Sequence, residues 1–268
     1  FRWTGKCFET ATSHMQTVTN NKKMKYSRNI LSFLIIAIGL IGLLACTQVE
    51  TKSDSIVLSH IVDLRKQELK FYWKDEGGTN FKNFKSLNDW LKSRSENLVF
   101  AMNGGMYKKD LSPQGLYIEN GVIKSEMDTV HSGYGNFYMQ PNGIFYITNN
   151  NLGVVCEKDD FKYENVKYAT QSGPMLLIDG EIHSRFRNGS ENLNIRNGVG
   201  ILPNGSIVFG MSKKEINFYD FAMYFKTLGC KNALYLDGFV SKTYLPEKGF
   251  DLLDGNFGVI IGETKKAE

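Results

Sequence analysis

The sequence predicts an α+β fold: a single domain of mostly antiparallel or mixed β-sheet with a few covering helices. Three observations lead there. Asn120-Gly121, Asn142-Gly143, Asp179-Gly180 and Asn204-Gly205 each stand between β-type runs, and such pairs are the strongest short hairpin signals. Hairpins imply antiparallel pairing rather than βαβ crossovers. Helical periodicity is confined to two stretches, and no linker-like composition divides residues 56–262, so strands and helices share one core.

Taken in order, Ile56 to Asp63 reads as a first strand and Leu69 to Trp73 as a second. Ser86-Leu87-Asn88-Asp89-Trp90-Leu91-Lys92 has apolar residues at helical spacing, with Ser86 as a possible cap. Asn97 to Met102 is again strand-like and delivers Asn103 at its end. The four hairpin signals follow, with Pro141 and Pro203 biasing the approach into two of them. A second helix is predicted from Asn217, a capping residue, through the stripe Phe218, Phe221, Ala222, Phe225 and Leu228 to Gly229. Ala233 to Leu236 is a short buried strand, and Phe257 to Ile261 closes the sheet.

The N-terminal part has a different character. Residues 1–23 show no hydrophobic periodicity and read as upstream sequence foreign to the native protein. Residues 24–45 combine the basic start Met24-Lys25-Tyr26-Ser27-Arg28 with an uncharged run from Ile30 to Ala45. That run suits a signal peptide and falls short of the ~20 residues of a membrane span. It ends Leu43-Leu44-Ala45-Cys46, which resembles the lipobox of bacterial lipoproteins and implies lipidation at Cys46, the alternative being an ordinary membrane anchor with a chance cysteine. Residues 46–55 would then be a tether, and 56–268 the functional domain. The expected location is the bacterial cell envelope, exported and lipid-anchored to the membrane.

Charge follows the same division. Six cations against Glu9 give residues 1–45 a net +5, whereas the whole chain is +4, so the remainder carries about −1. The basic balance belongs to the leader, and no electrostatic case for a nucleic-acid partner remains. The 223 residues after Ala45 suffice for one sizeable core. Cys156 and Cys230 are the cysteines of the body, and an exported chain can pair them or keep them reduced. Neither C-x-x-C nor H-E-x-x-H occurs, so no metal ligand or cofactor is expected from those patterns. One carboxylate with nearby carbonyls still leaves room for a divalent metal.

Four glycine-bearing segments, each just after an apolar run, place polar groups at strand ends where backbone can approach a ligand. Asp237 follows Ala233–Leu236 and precedes Gly238; it reads as a reactive carboxylate or as the start of an Asp-Gly turn. Ser241, four residues on, can bond a ligand, the carboxylate or solvent. Arg196 precedes Asn197-Gly198 and a strand, which suits a phosphate contact or a surface ion pair. Arg185 and Arg187 flank Phe186 in a polar loop that is either a lid or a solvated connection. Asn103-Gly104-Gly105 can form an anion-holding concavity or an ordinary turn. Gln171-Ser172-Gly173 lacks the first glycine of a nucleophile elbow, Thr170 standing there, so Ser172 is not read as a nucleophile. His60, His131 and His183 have no partner at ligand spacing.

In order and spacing these motifs resemble the phosphodiester glycosidase family, which includes the catalytic domain of the mannose-6-phosphate uncovering enzyme and bacterial secreted proteins. The resemblance rests on Ala101-Met102-Asn103-Gly104-Gly105-Met106-Tyr107, Thr170 to Met175, Arg196 to Gly200, and Leu236-Asp237-Gly238 with Ser241. Gly135-Asn136-Phe137-Tyr138 and Pro141-Asn142-Gly143 are similar to the bacterial branch, while Phe239-Val240 stands where the uncovering-enzyme branch has a richer glycine run. It implies a hydrolase acting on the glycosidic bond of a sugar-1-phosphodiester. Asp237, Arg196 and Asn103 are then the expected catalytic residues. Gly104, Gly105, Tyr107, Gln171, Ser172, Gly173, Asn197, Gly238 and Ser241 are expected to bind substrate. On this reading Arg196 and the Asn103–Gly105 turn hold phosphate, and Gln171 and Ser172 orient sugar hydroxyls. The competing functions are a non-catalytic glycan-binding lipoprotein and a metal-dependent phosphodiesterase.

Overall fold

The computed structural model describes residues 56–237 and 240–267, all in the unit formed by residues 51–268. The upstream segment, the signal peptide, Cys46 and the tether lie outside the described residues, as do Gly238 and Phe239.

In chain order the strands are β1 Val57–Val62, β2 Glu68–Tyr72, β3 Glu96–Asn103, β4 Tyr117–Glu119, β5 Val122–Ser125, β6 Gly143–Thr148, β7 Gly153–Glu157 and β8 Val166–Ser172. They continue with β9 Met175–Ile178, β10 Glu181–Ile182, β11 Asn197–Ile201, β12 Ile207–Ser212, β13 Ala233–Asp237, β14 Thr243–Tyr244 and β15 Ile260–Lys266. The helices are α1, Phe84–Lys92, and α2, Phe218–Thr227. Antiparallel pairing builds three sheets: β1-β12-β11-β13-β9-β10, β14-β3-β15-β2 and β5-β4-β8-β6-β7. The expected α+β, mostly antiparallel architecture is the observed one. Among the described residues no helix is long and apolar enough to cross a membrane.

All three sheets contribute to the central core, including Phe71 and Phe100 from the second, Phe145 and Tyr168 from the third, and Phe209 and Leu234 from the first. The first sheet is buried on both faces, which explains its unbroken apolar runs. In β13, Leu234 and Leu236 face the central core while Ala233 and Tyr235 pack under α2 with Phe221 and Phe225. Each fully buried phenylalanine contributes roughly 1.5–3 kcal/mol. Helix α1 covers the second sheet through Phe84, Leu87 and Leu91.

Local signals explain most boundaries. Asn217 caps α2, its side chain accepting from the Asp220 N–H at 2.8 Å. Gly229 follows with φ +80°. Helix α1 is capped by Asn83, not Ser86; the Asn83 side chain accepts from the Ser86 N–H at 2.8 Å. Asn120-Gly121 and Asp179-Gly180 have positive φ at both positions, as a type I′ hairpin turn requires. Asn204-Gly205 lies in the β11–β12 connection. Asn142-Gly143 does not turn a hairpin. Gly143 opens β6, and a Cβ there would lie 2.3 Å from the Met175 sulfur. That position selects glycine for close packing between sheets, a demand the Asn-Gly pair shares with turns. Cys156 and Cys230 are free thiols, pushed up to about 12 by burial.

Asn217→Ala removes the α2 cap and should lower unfolding free energy by about 0.5–2 kcal/mol in urea denaturation, with the m-value unchanged.

Candidate active site

Strand β3 ends at Asn103 in the second sheet, while Asn197 begins β11 and Asp237 ends β13 in the first. These three side chains meet. Asn103 Nδ2 donates to Asp237 Oδ2 at 3.1 Å, and Asn197 Nδ2 donates to Asn103 Oδ1 at 2.9 Å. Asn197 Nδ2 also reaches the Asn103 carbonyl at 3.1 Å. Two backbone donors fix the amide orientations: Lys242 N–H donates to Asn103 Oδ1 at 2.9 Å, and Asp237 N–H to Asn197 Oδ1 at 2.8 Å. With both oxygens held by N–H groups, the Asn103 amide nitrogen must face the carboxylate. Asn103 and Asn197 are fully buried and Asp237 is 6% exposed, so each of these bonds replaces a costly desolvation.

A β-bulge aims the carboxylate. Asn197 pairs with Asp237, but Gly198 pairs with Tyr235, leaving Leu236 as an extra residue in β13. Bulges of this kind redirect side chains at sheet rims. The Leu236 carbonyl is taken up by Ser172 Oγ at 2.5 Å, and the Asp237 carbonyl by Ser241 Oγ at 2.5 Å. Both serines therefore brace the end of β13. Gly173, beside Ser172, is buried, and a Cβ there would lie 2.6 Å from the Asn142 Cβ.

The other expected site residues divide. Tyr107 is near Asp237: burial first, and then the Asp237 charge, raise its phenol above the usual range. Its hydroxyl donates to the Asn256 carbonyl at 2.7 Å. The twin-glycine segment is not an open anion cradle, because the Gly104 N–H donates to the Val259 carbonyl at 2.9 Å. Glycine is needed there for packing, since a Cβ on Gly104 would lie 2.6 Å from Ile261 Cγ1 and one on Gly105 2.6 Å from Thr170 Oγ1. The Gln171 side chain is engaged within the protein. Its Oε1 accepts from the Leu116 and Asp128 N–H groups, and its Nε2 donates to the Asp128 carbonyl, all at 2.9 Å. It staples the chain at Asp128 to β8.

Arg196 is fully buried rather than set at a surface edge. Its Nε donates to the Ile216 carbonyl at 2.8 Å, Nη2 to the Asn192 carbonyl at 2.8 Å, and Nη1 to the Tyr235 hydroxyl at 3.4 Å. The guanidinium lies 3.6 Å over Phe218 at the end of a stack: His183 on Phe186 at 4.7 Å, and Phe186 on Phe218 at 4.8 Å. Desolvation lowers its affinity for the proton, partly offset by Tyr235. Phe186 is buried between two exposed arginines, so the Arg185–Arg187 loop is pinned by its centre. His183 donates from Nε2 to the Gln140 carbonyl at 2.9 Å and accepts from the Arg185 N–H at Nδ1, a pattern that fits the neutral ring.

Sequence reasoning missed Tyr235 as the hydroxyl beneath Arg196, because an apolar strand disguises it. It also missed Lys242, which acts through its backbone. Among the described residues no group of three His, Cys, Asp or Glu gathers as a metal site.

The family model for phosphodiester glycosidases matches residues 96–258, which span Asn103, Asn197 and Asp237. The chain belongs to the phosphodiester glycosidase family. Among relatives, it is 39% identical over 191 residues to YigE of Escherichia coli (strain K12), described as an uncharacterized protein, covering 70% of this chain and 74% of that one. Among solved structures, it is similar to the catalytic domain of zebrafish N-acetylglucosamine-1-phosphodiester α-N-acetylglucosaminidase, auto-inhibited by its pro-peptide. That match has a TM-score of 0.52 and 15% identity over 81% of this chain and 85% of the other, a likeness of fold. The phosphodiester glycosidase domain thus contains the amide-bridged carboxylate within its matched span.

Asn197→Ala strands the Asp237 N–H and removes the bridge between sheets. It should cost about 1–3 kcal/mol for each buried group left unpaired, read by urea denaturation. The neutral His183 ring gives a second expectation. Burial depresses its folded pKa below the ordinary 6.5, so its contribution is intact above that pH and declines as pH falls below it, where the unfolded chain alone binds the proton. His183→Phe should flatten that part of the pH–stability curve.

Proposed function

We propose that the protein hydrolyses the glycosidic bond of a sugar-1-phosphodiester in an envelope or extracellular glycan. The observation that carries this reading is the Asp237 carboxylate, held at a strand end by an amide whose orientation two backbone N–H groups dictate. Family membership supports the substrate class.

One carboxylate is chemically sufficient. Ordinary glycosidases need a second carboxyl group to protonate an alkoxide leaving group. Here the departing group is a phosphate monoester, whose second pKa is about 6, so it leaves without a proton donor. Asp237 acts at the anomeric carbon, either directly or by activating water, and Asn103 holds it in register. Arg196 enters as a buried positive charge beneath the site. Electrostatic support of this kind stabilises charge that develops on the leaving phosphate without reorganisation. Ser172, Ser241 and Asn197 keep the strand end rigid, and Gln171 anchors the adjoining wall. Tyr107, close enough to feel the Asp237 charge, is assigned to substrate contact.

Asp237→Asn preserves shape and should lower kcat on an aryl or nucleotide sugar-phosphodiester by about 10²–10⁴-fold, with little change in unfolding free energy. Hydrolysis in labelled water should place the heavy oxygen on the sugar; label on phosphate would assign P–O cleavage instead.

The proposed workplace is the cell envelope, with lipidated Cys46 as anchor. Metabolic labelling with a fatty-acid analogue should mark the full chain and be lost in Cys46→Ser.

A further inference from the structure

A cleft of about 630 Å³ lies between the edge strand β2 with its following turn and the β4–β5 hairpin. It shares no lining residue with the Asn103–Asn197–Asp237 cluster. The geometry points to a binding site for a neutral oligosaccharide in this cleft, separate from the carboxylate site and independent of its chemistry.

Three features select that ligand class. Trp73 and Trp90 both line the cleft, and indole faces complement the C–H face of a sugar ring through dispersion and quadrupole contacts. Over the Trp73 ring lies the ammonium of exposed Lys74, 4.2 Å from the centroid, a cover that a sugar ring can displace. Trp73 is itself held in place, its Nε1 donating to the Leu111 carbonyl at 2.9 Å. Trp90 is fixed by Glu76 at 3.0 Å and by Arg94 stacked 3.9 Å from its ring. Rigid rings lose little entropy on binding.

The charges lining the cleft decide between ligand classes. Lys70, Lys74 and Lys124 line it together with Asp75, Glu76 and Glu119, so positive and negative groups balance. A polyanion or a cation would meet repulsion as well as attraction, whereas hydroxyl groups donate to carboxylates and accept from ammonium groups alike. Four of these groups are already ordered: Glu119 accepts from the Tyr117 hydroxyl at 2.5 Å, Glu76 from Trp90 and Arg94, and Asp75 from the Thr79 N–H, while Lys70 lies between Glu68 and Glu96. One loop is tied to the cleft, because Trp73 donates to the Leu111 carbonyl. Leu111, which fixes Trp73, follows Tyr107 in the loop leaving Gly105, so a glycan held here would be presented beside the loop that carries Tyr107.

Intrinsic fluorescence reads the cleft directly, since the chain has three tryptophans and the third is Trp3. The full chain would be titrated with chitotetraose, cellotetraose and maltotetraose, with polyproline as the peptide control. At least one tetrasaccharide should give a saturable emission change and protect the tryptophans from acrylamide quenching. Trp73→Ala should weaken that binding by about tenfold or more, equivalent to about 1.4 kcal/mol, and Trp73→Phe should retain most of it. Should Trp73→Ala fail to fold, the quenching protection on the unmodified chain decides. No saturable change with any of the three sugars, binding indifferent to Trp73→Ala, or polyproline as the sole ligand would overturn the proposal. Asp237→Asn should leave tetrasaccharide binding intact, and Trp73→Ala should leave turnover of a small aryl phosphodiester intact, so failure here is distinguishable from failure of the hydrolase reading.

Discussion

The amide bridge between Asn103 and Asn197 is the constraint on which the rest of the site depends. It joins the end of β3 to the start of β11, strands of different sheets, and its polarity runs one way. Backbone N–H groups of Lys242 and Asp237 hold the two amide oxygens, which leaves an N–H for the Asp237 carboxylate. A buried network with every member satisfied is rigid, whereas a half-satisfied one is costly. The carboxylate is therefore placed by the assembly of two sheets and not by a loop.

Around this bridge the fold supplies buttresses rather than further reactive groups. The bulge at Leu236 turns Asp237, and Ser172 compensates the carbonyl that leaves the ladder. The aromatic stack from His183 to Phe218 supports Arg196, a buried cation surrounded by neutral acceptors and ring faces. Burying a guanidinium without a carboxylate partner is expensive unless its donors are met. Here carbonyls of Ile216 and Asn192 and the Tyr235 hydroxyl meet them. The Arg196-Asn197-Gly198 segment thus combines a buried cation with the bridging amide.

Much of this was legible in the sequence because it rests on local signals. Asn217, Gly229 and the apolar stripe between them define α2 without reference to other elements, and the apolar run Ala233–Leu236 leading to Asp237 reads directly as a buried strand. The misreadings share one cause: residue types whose local and tertiary uses coincide. Asn142-Gly143 has turn chemistry, yet Gly143 answers to the Met175 sulfur across the interior. For Gln171 and Arg196 the partners at Asp128, Ile216 and Asn192 come from segments that periodicity cannot place. The bulge has no sequence mark, because its cause is a register shift against β11. The tryptophan cleft is equally hidden, since Trp73 and Trp90 come from a strand exit and a helix that only the folded chain brings together.

The Asn-Gly pairs at 103–104 and 197–198 carry a further meaning. In a flexible peptide such pairs age quickly, because the glycine nitrogen attacks the side-chain carbonyl and closes a succinimide. In the folded chain the Gly104 N–H is engaged with the Val259 carbonyl, and Gly198 is held in the extended strand β11. The architecture that orients the carboxylate therefore also shields its amide partners from spontaneous deamidation, and would lose both benefits together on local unfolding.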